Sequence, residues 1–194
     1  MKKFLVLGAN GNETIEIFTV VDYLRRAEVE VDLASTEEGL DLKTSHGISY
    51  RADINFEDIK ADDYMGVYIP GGTEGAYKMR DDRRVLDLVR KFNEEGKIIA
   101  AICAGPVVLN EAEILLDKKA TSFPSMKDEM DKTKTYIDDE IVVTDGNITT
   151  GRGAAVTNYL ALRLVDIIKK DKAVRDLKFA TQHEAVEKYF DFKF

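Results

Sequence analysis

The chain has 194 residues, 44% hydrophobic and 33% charged, the balance of one ordinary globular domain able to bury about 70% of its unfolded surface. A formal net charge of −8, from 28 basic and 36 acidic residues with no clustered Lys/Arg stripe, counts against a nucleic-acid partner. The absence of a bilayer-length apolar run, a start (MKKFLVLGANG) without signal-peptide character and a lone cysteine together predict a cytoplasmic protein with no membrane partner. No Cys/His cluster has metal-ligand spacing, so neither a metal nor another cofactor is expected.

In chain order, Phe4–Leu7 reads as a first strand and GANGN as its turn, with Asn12 placed to cap a helix over about Glu13–Ala27. Val29–Ala34 is a second strand, which makes a βαβ start and hence a parallel sheet. Lys43–Asp53, with Gly47 at its middle, reads as an irregular or hairpin excursion. Met65–Ile69 is a strand ending in Pro70-Gly71-Gly72, and Asp81–Glu95 an amphipathic helix closed by Gly96. Ile98–Ile102 is a continuously apolar strand, the pattern of burial on both faces, followed by Cys103-Ala104-Gly105-Pro106 and the helical VVLNEAEILL. Lys119–Ser122 reads as a short strand and FPSMKDEMDKTK as a surface segment. Tyr136–Thr144 and Asn147–Thr150 flank Asp145-Gly146 as a hairpin. Gly151-Arg152-Gly153 then leads into a long helix over about Ala154–Lys169, with two short helical pieces after it. Alternating β and α elements with glycine-rich turns predict a doubly wound, three-layer α/β sandwich with a mostly parallel sheet and a small β-hairpin, in one domain.

The candidate site follows from that topology, because ligands in such sheets bind beyond the carboxyl ends of the strands. A strand turning sharply into a helix through small residues is a nucleophile elbow, and its turning residue is Cys103. A thiol there, over a helix N-terminus, is expected to ionise more readily than a free one; the competing reading is a buried structural cysteine. On a helical wheel Val20, Leu24 and Ala27 fall within about 80° of Glu16, whereas Arg25 is opposite. Glu16 therefore lies on the face to be buried, where it would retain a proton; the alternative is a first-turn carboxylate that bends out to water. Gly71-Gly72 brings backbone N–H groups to a strand end, as an oxyanion hole requires, or forms a plain turn.

Three stretches together, GNETIE with Glu16, YIPGG and AAICAGP, resemble the DJ-1/PfpI superfamily, and the hairpin followed by TGRG and a long helix is similar to its smaller single-domain members. The resemblance implies a flavodoxin-like sandwich of the class I glutamine amidotransferase-like kind, usually a homodimer. It implies a reactive Cys103 hydrogen-bonded by a protonated Glu16, facing the Gly72 N–H with that of Ala104 beside it. Gly71 and Arg152 would border the pocket. The chain also departs from the pattern. Where smaller members carry a histidine before a proline, it has Phe123-Pro124; where peptidase or chaperone members carry a histidine after the cysteine, it has Ala104; where GPG is usual, it has Gly153-Ala154-Ala155. Of the two histidines, His46 reads as a surface residue. His183, followed by Glu184, resembles the His–x–Glu pair of glutamine amidotransferases without its spacer.

The function these features imply is cysteine chemistry on a small aldehyde or dicarbonyl such as methylglyoxal, glyoxalase-like or deglycase-like. The alternatives are a cysteine-based oxidative-stress sensor without turnover, a non-catalytic protein acting through its dimer surface and, further off, an amidotransferase or peptidase.

Overall fold

Strand β1 (Lys3–Gly8) is buried on both sides: Phe4 and Val6 enter one apolar core, Leu5 and Leu7 the other, which is why its sequence shows no alternation. The computed structural model describes residues 2–194. After β1 come α1 (Thr14–Arg26), β2 (Val31–Ser35), the antiparallel pair β3 (Asp41–Lys43) and β4 (Ser49–Arg51), the short β5 (Ile54–Asn55), β6 (Tyr64–Ile69), α2 (Thr73–Asp81) and α3 (Arg83–Glu94). Then follow β7 (Ile98–Ile102), α4 (Pro106–Glu111), β8 (Lys119–Ala120), β9 (Thr135–Tyr136), β10 (Val142–Asp145), β11 (Ile148–Gly151), α5 (Thr157–Lys169), α6 (Asp171–Ala180) and α7 (His183–Phe190).

The main sheet has seven strands in the order β10–β11–β7–β6–β1–β2–β5. Its neighbours run parallel except at the β10 edge, which is antiparallel to β11. Helices α1, α5 and α6 cover the face that Phe4 and Val6 enter, and α2, α3 and α4 cover the other. This is the three-layer, flavodoxin-like sandwich expected. From β1 the chain builds outward through β2 and β5, then returns to add β6, β7 and β11 on the opposite side. The order therefore reverses between β1 and β6, which opens a crevice at their carboxyl ends. No helix among the described residues is long and apolar enough to cross a membrane.

Several local expectations are corrected. Asn12 does not cap α1: Glu13 holds that position without a side-chain bond, while the buried Asn12 side chain accepts from Ala9 N–H at 2.6 Å and donates to the Gly71 carbonyl at 2.8 Å. It is spent tying the turn after β1 to the turn after β6. The helix expected from Asp81 begins at Arg83 with Asp82 as its cap, and α2 precedes it where no helix was expected. The apolar stretch after the elbow is helical only to Glu111, because the chain turns at Glu113 (φ 62°). The expected strand Tyr136–Thr144 divides: Tyr136 belongs to β9, paired with β8, while β10 starts at Val142. The hairpin loop is Gly146-Asn147, one residue along from the Asp-Gly pair. The segment from Phe123 is not merely surface, since Met126 and Met130 are buried in the core.

Candidate active site

Glu16 reaches the crevice from the first turn of α1, Gly71 and Gly72 from the end of β6, and Cys103 from the end of β7. Cys103 sits in the left-handed region (φ 61°), a conformation that costs a non-glycine residue about 1–2 kcal/mol. Neighbouring segments hold it there. Its N–H donates to the Gly151 carbonyl at 2.9 Å and its carbonyl accepts from Phe123 N–H at 2.8 Å. Glycine is demanded opposite the elbow: a Cβ on Gly71 would lie 2.5 Å from Glu16 Oε2 and 2.6 Å from Cys103 Cβ. Gly72, at φ 81°, lies where a Cβ would be 2.4 Å from the Gly11 carbonyl.

Glu16 is fully buried. Its Oε2 accepts from Gly71 N–H at 2.8 Å, and its own carbonyl accepts from the Tyr68 hydroxyl at 3.0 Å. Its Oε1 has no aligned hydrogen-bond partner, and the carboxyl as a whole interacts with the Cys103 thiol. Burial lifts the carboxyl to about 7, against the lowering effect of the Cys103 and Gly71 hydrogen bonds. The thiol is also raised, to about 12, first by burial, then by the charge of Glu16 and the hydrogen bond to it; the N–H groups of Ala104 and Gly72 pull the other way.

This corrects the expectation of a readily ionised thiol. Loss of solvent around the sulfur outweighs the Ala104 and Gly72 N–H groups that favour the thiolate. Carboxyl and thiol compete for protons and titrate as one unit. Near pH 7 and above, the pair still holds one proton.

Cys103 opens onto a cavity of about 360 Å³. Glu16, Gly72 and Ala104 line it with the cysteine; Phe123, Met126 and Ala154 give it an apolar side, and Glu13, Ser45 and His46 a polar rim. Gly71 lies behind the wall, holding Glu16 rather than lining the space. Arg152 is not part of the lining either: its guanidinium is drawn to the Asp138 carbonyl. Exposed His46 is a surface residue as expected, yet it stands on the rim of this cavity. The sign that could have placed it there is topological, since the whole excursion between the parallel strands β2 and β5 starts from the ligand-binding edge at the end of β2. Phe123, which stands where the resemblance has a histidine, forms part of the apolar cavity wall. His183 is packed between Tyr23 and Tyr159 and bonded to Asn158 and Thr181, outside the cavity lining, which ends the amidotransferase comparison. No group of three or more His, Cys, Asp or Glu side chains able to hold a metal ion occurs among the described residues.

An α/β sandwich with a cysteine at a strained elbow over its switch point, beside a buried acid, defines a class of elbow-cysteine proteins. Within it, this chain belongs to the DJ-1/PfpI family, whose model matches residues 2–167. It is 34% identical over 176 residues to protein dj-1beta of Drosophila melanogaster, covering 91% of this chain and 94% of that one. The crystal structure of the fly protein superposes with a TM-score of 0.90 over 94% of this chain and 98% of that one, at 33% identity. Deglycase PfpI of Pyrococcus furiosus is 33% identical over 150 residues, 77% of this chain and 89% of that one. A structure of oxidized Toxoplasma gondii DJ-1 matches with a TM-score of 0.87 at 29% identity, covering 94% and 98% of the two chains.

Proposed function

We propose that the protein is a cofactor-independent, cysteine-dependent enzyme acting on small reactive dicarbonyls such as methylglyoxal, in a glyoxalase-like reaction. The observation that carries this reading is the buried Glu16 carboxyl, fixed through Oε2 by Gly71, with Oε1 unpartnered, and interacting with the Cys103 thiol. A buried acid raised to about 7 is suited to taking and returning protons at neutral pH. Glu16 takes the thiol proton as Sγ bonds to the aldehyde carbon and returns it to the oxygen, giving a hemithioacetal. It next removes the proton on that carbon and delivers it to the neighbouring carbonyl carbon, while the hydroxyl proton passes to the second oxygen. The first carbon is oxidised and the second reduced, leaving a lactoyl thioester on Cys103. Water hydrolyses this to lactate and frees the thiol. The N–H groups of Gly72 and Ala104 steady negative charge on the reacting atoms. The relative named a deglycase supports the alternative form of this reading, a deglycase-like action.

The working unit in this reading is a cytoplasmic homodimer. Half-exposed Ile15 and Ile48, on α1 and the loop between β3 and β4, offer apolar surface for a second copy. The test is conversion of methylglyoxal to lactate by the wild type, Cys103→Ala and Glu16→Gln. Loss in both variants supports the reading, and equal rates in all three remove it.

A second reading, an oxidative-stress sensor, is favoured by the solitary cysteine: with no second thiol in the chain, oxidation would not close to an internal disulfide. The likeness to an oxidized relative is in keeping with it. Peroxide titration with intact-mass analysis decides: two oxygens gained at Cys103 at low peroxide support it, and an unmodified protein removes it.

A further inference from the structure

Thioester hydrolysis needs a group that activates water, and Glu16 lies buried beneath the sulfur rather than on the solvent side of the cavity. The rim supplies the other kind of group. His46 Nδ1 is 3.2 Å from Glu13 Oε2 and 3.0 Å from Ser45 Oγ, and Ser45 Oγ donates to the same carboxylate oxygen at 3.1 Å. Because Nδ1 faces a carboxylate, it is the nitrogen that carries the hydrogen, and Nε2 keeps a free lone pair. Among the described residues Nε2 makes no hydrogen bond. Glu13 is held in turn by α1, of which it is the N-cap residue, and Ser45 N–H is anchored to the Asn12 carbonyl at 2.9 Å. A base oriented by a carboxylate, in the same cavity as a cysteine, is the arrangement that hydrolytic sites use. Within one chain the His46 side chain is 71% exposed, so water can reach it.

We propose that His46, oriented by Glu13 and Ser45, is the general base that hydrolyses the Cys103 thioester. This rests on the thioester chemistry proposed above. Nε2 takes a proton from water as its oxygen bonds to the thioester carbon; the carbon–sulfur bond then breaks with its electron pair going to Sγ, which takes up the carboxyl proton of the departing acid. The acid thus leaves as carboxylate with Cys103 again a thiol, and the imidazolium releases its proton to solvent.

The experiment loads the thioester directly, so that it does not depend on methylglyoxal being the substrate. Acetyl transfer from p-nitrophenyl acetate to Cys103 releases p-nitrophenolate and leaves an acetyl thioester, whose decay is followed by intact mass, with Cys103→Ala as the control for the site. The adduct is expected to decay about 10²-fold more slowly in His46→Gln than in the wild type, with part of the loss restored by added imidazole. In a separate methylglyoxal assay the same variant should accumulate one covalent equivalent. A Cys103 that takes no acetyl group, or an adduct that decays equally in both proteins, overturns the role of His46. The glyoxalase reading fails separately, if the wild type and Cys103→Ala turn over methylglyoxal alike.

Discussion

Two regions of this molecule bury polar groups and treat them differently. Under the C-terminal helices every such group is answered: His183 bonds Asn158 and Thr181, and Lys178 donates to Glu187 and the Phe194 carbonyl, each at 2.7 Å. At the carboxyl edge of the sheet Glu16 keeps one oxygen without an aligned partner, and Cys103 holds a conformation its side chain disfavours. The groups under the C-terminal helices are satisfied even though Lys170, Gln182 and Asp191 carry positive φ at the helix ends, whereas an unsatisfied acid beside a strained thiol is the arrangement that the proposed chemistry would use. His183 and His46 make the same contrast, the first boxed in by aromatic rings and the second held only at Nδ1.

The largest effect should come from breaking the satisfied region. Lys178 and Glu187 are only 10% and 12% exposed, so Lys178→Met leaves a buried carboxylate alone and should cost about 3 kcal/mol in urea unfolding. Adding Glu187→Leu should return most of it; a single variant as stable as the wild type would mean the pair is solvated. The cleft should behave in the opposite sense. Glu16 ionises near 4.5 when unfolded and near 7 when folded, so between these values the folded state binds more protons. Stability therefore falls as pH rises through that window, by about 3 kcal/mol at most, and is undiminished below it. Glu16→Gln lacks this penalty. Its stability relative to the wild type should grow from pH 4.5 to pH 7 in paired urea titrations, and a flat difference would mean that the acid is not held protonated. The same substitution removes a charge that raises the thiol, so Cys103 should ionise at lower pH than in the wild type when thiolate absorbance is followed.

How far this contrast could be read from residues alone depends on range. The parallel strands were legible because Ile98–Ile102 and Phe4–Leu7 are apolar without alternation, and Gly96 marked the end of α3 through its positive φ. Glu16 was legible because a wheel places it among Val20 and Leu24, both of which are buried. What failed was set by partners far along the chain. Asn12 was read as a cap by its neighbours but is claimed by Gly71, 59 residues away. The thiol was read from the helix after it, whereas the carboxyl from α1 and the closure of the pocket decide its ionisation. His46 carries no local mark, because only the fold brings its loop to the cavity that Cys103 lines.

The strain at the elbow offers a smaller test. Cys103→Ala keeps a Cβ at φ 61°, whereas Cys103→Gly removes it. Glycine ordinarily weakens a fold through the freedom it gives the unfolded chain; here relief of the left-handed conformation should outweigh that. The glycine variant should therefore be the more stable of the two by about 1 kcal/mol. The reverse order would show that the elbow stores no strain and that the contrast between the regions rests on Glu16 alone.

The smallest effect separates resemblance from geometry. Arg152 was placed at the pocket because similar proteins have an arginine there, yet here its guanidinium is turned to the Asp138 carbonyl and it lines no part of the cavity. An exposed contact of this kind contributes little, so Arg152→Ala should change stability by less than about 0.5 kcal/mol and leave kcat/KM for methylglyoxal unchanged. A rise in KM at constant kcat would instead mean that the arginine leaves Asp138 to meet the substrate. Binding would then draw on a side chain that the resting cleft keeps occupied elsewhere, and the cavity walls would no longer account for recognition by themselves.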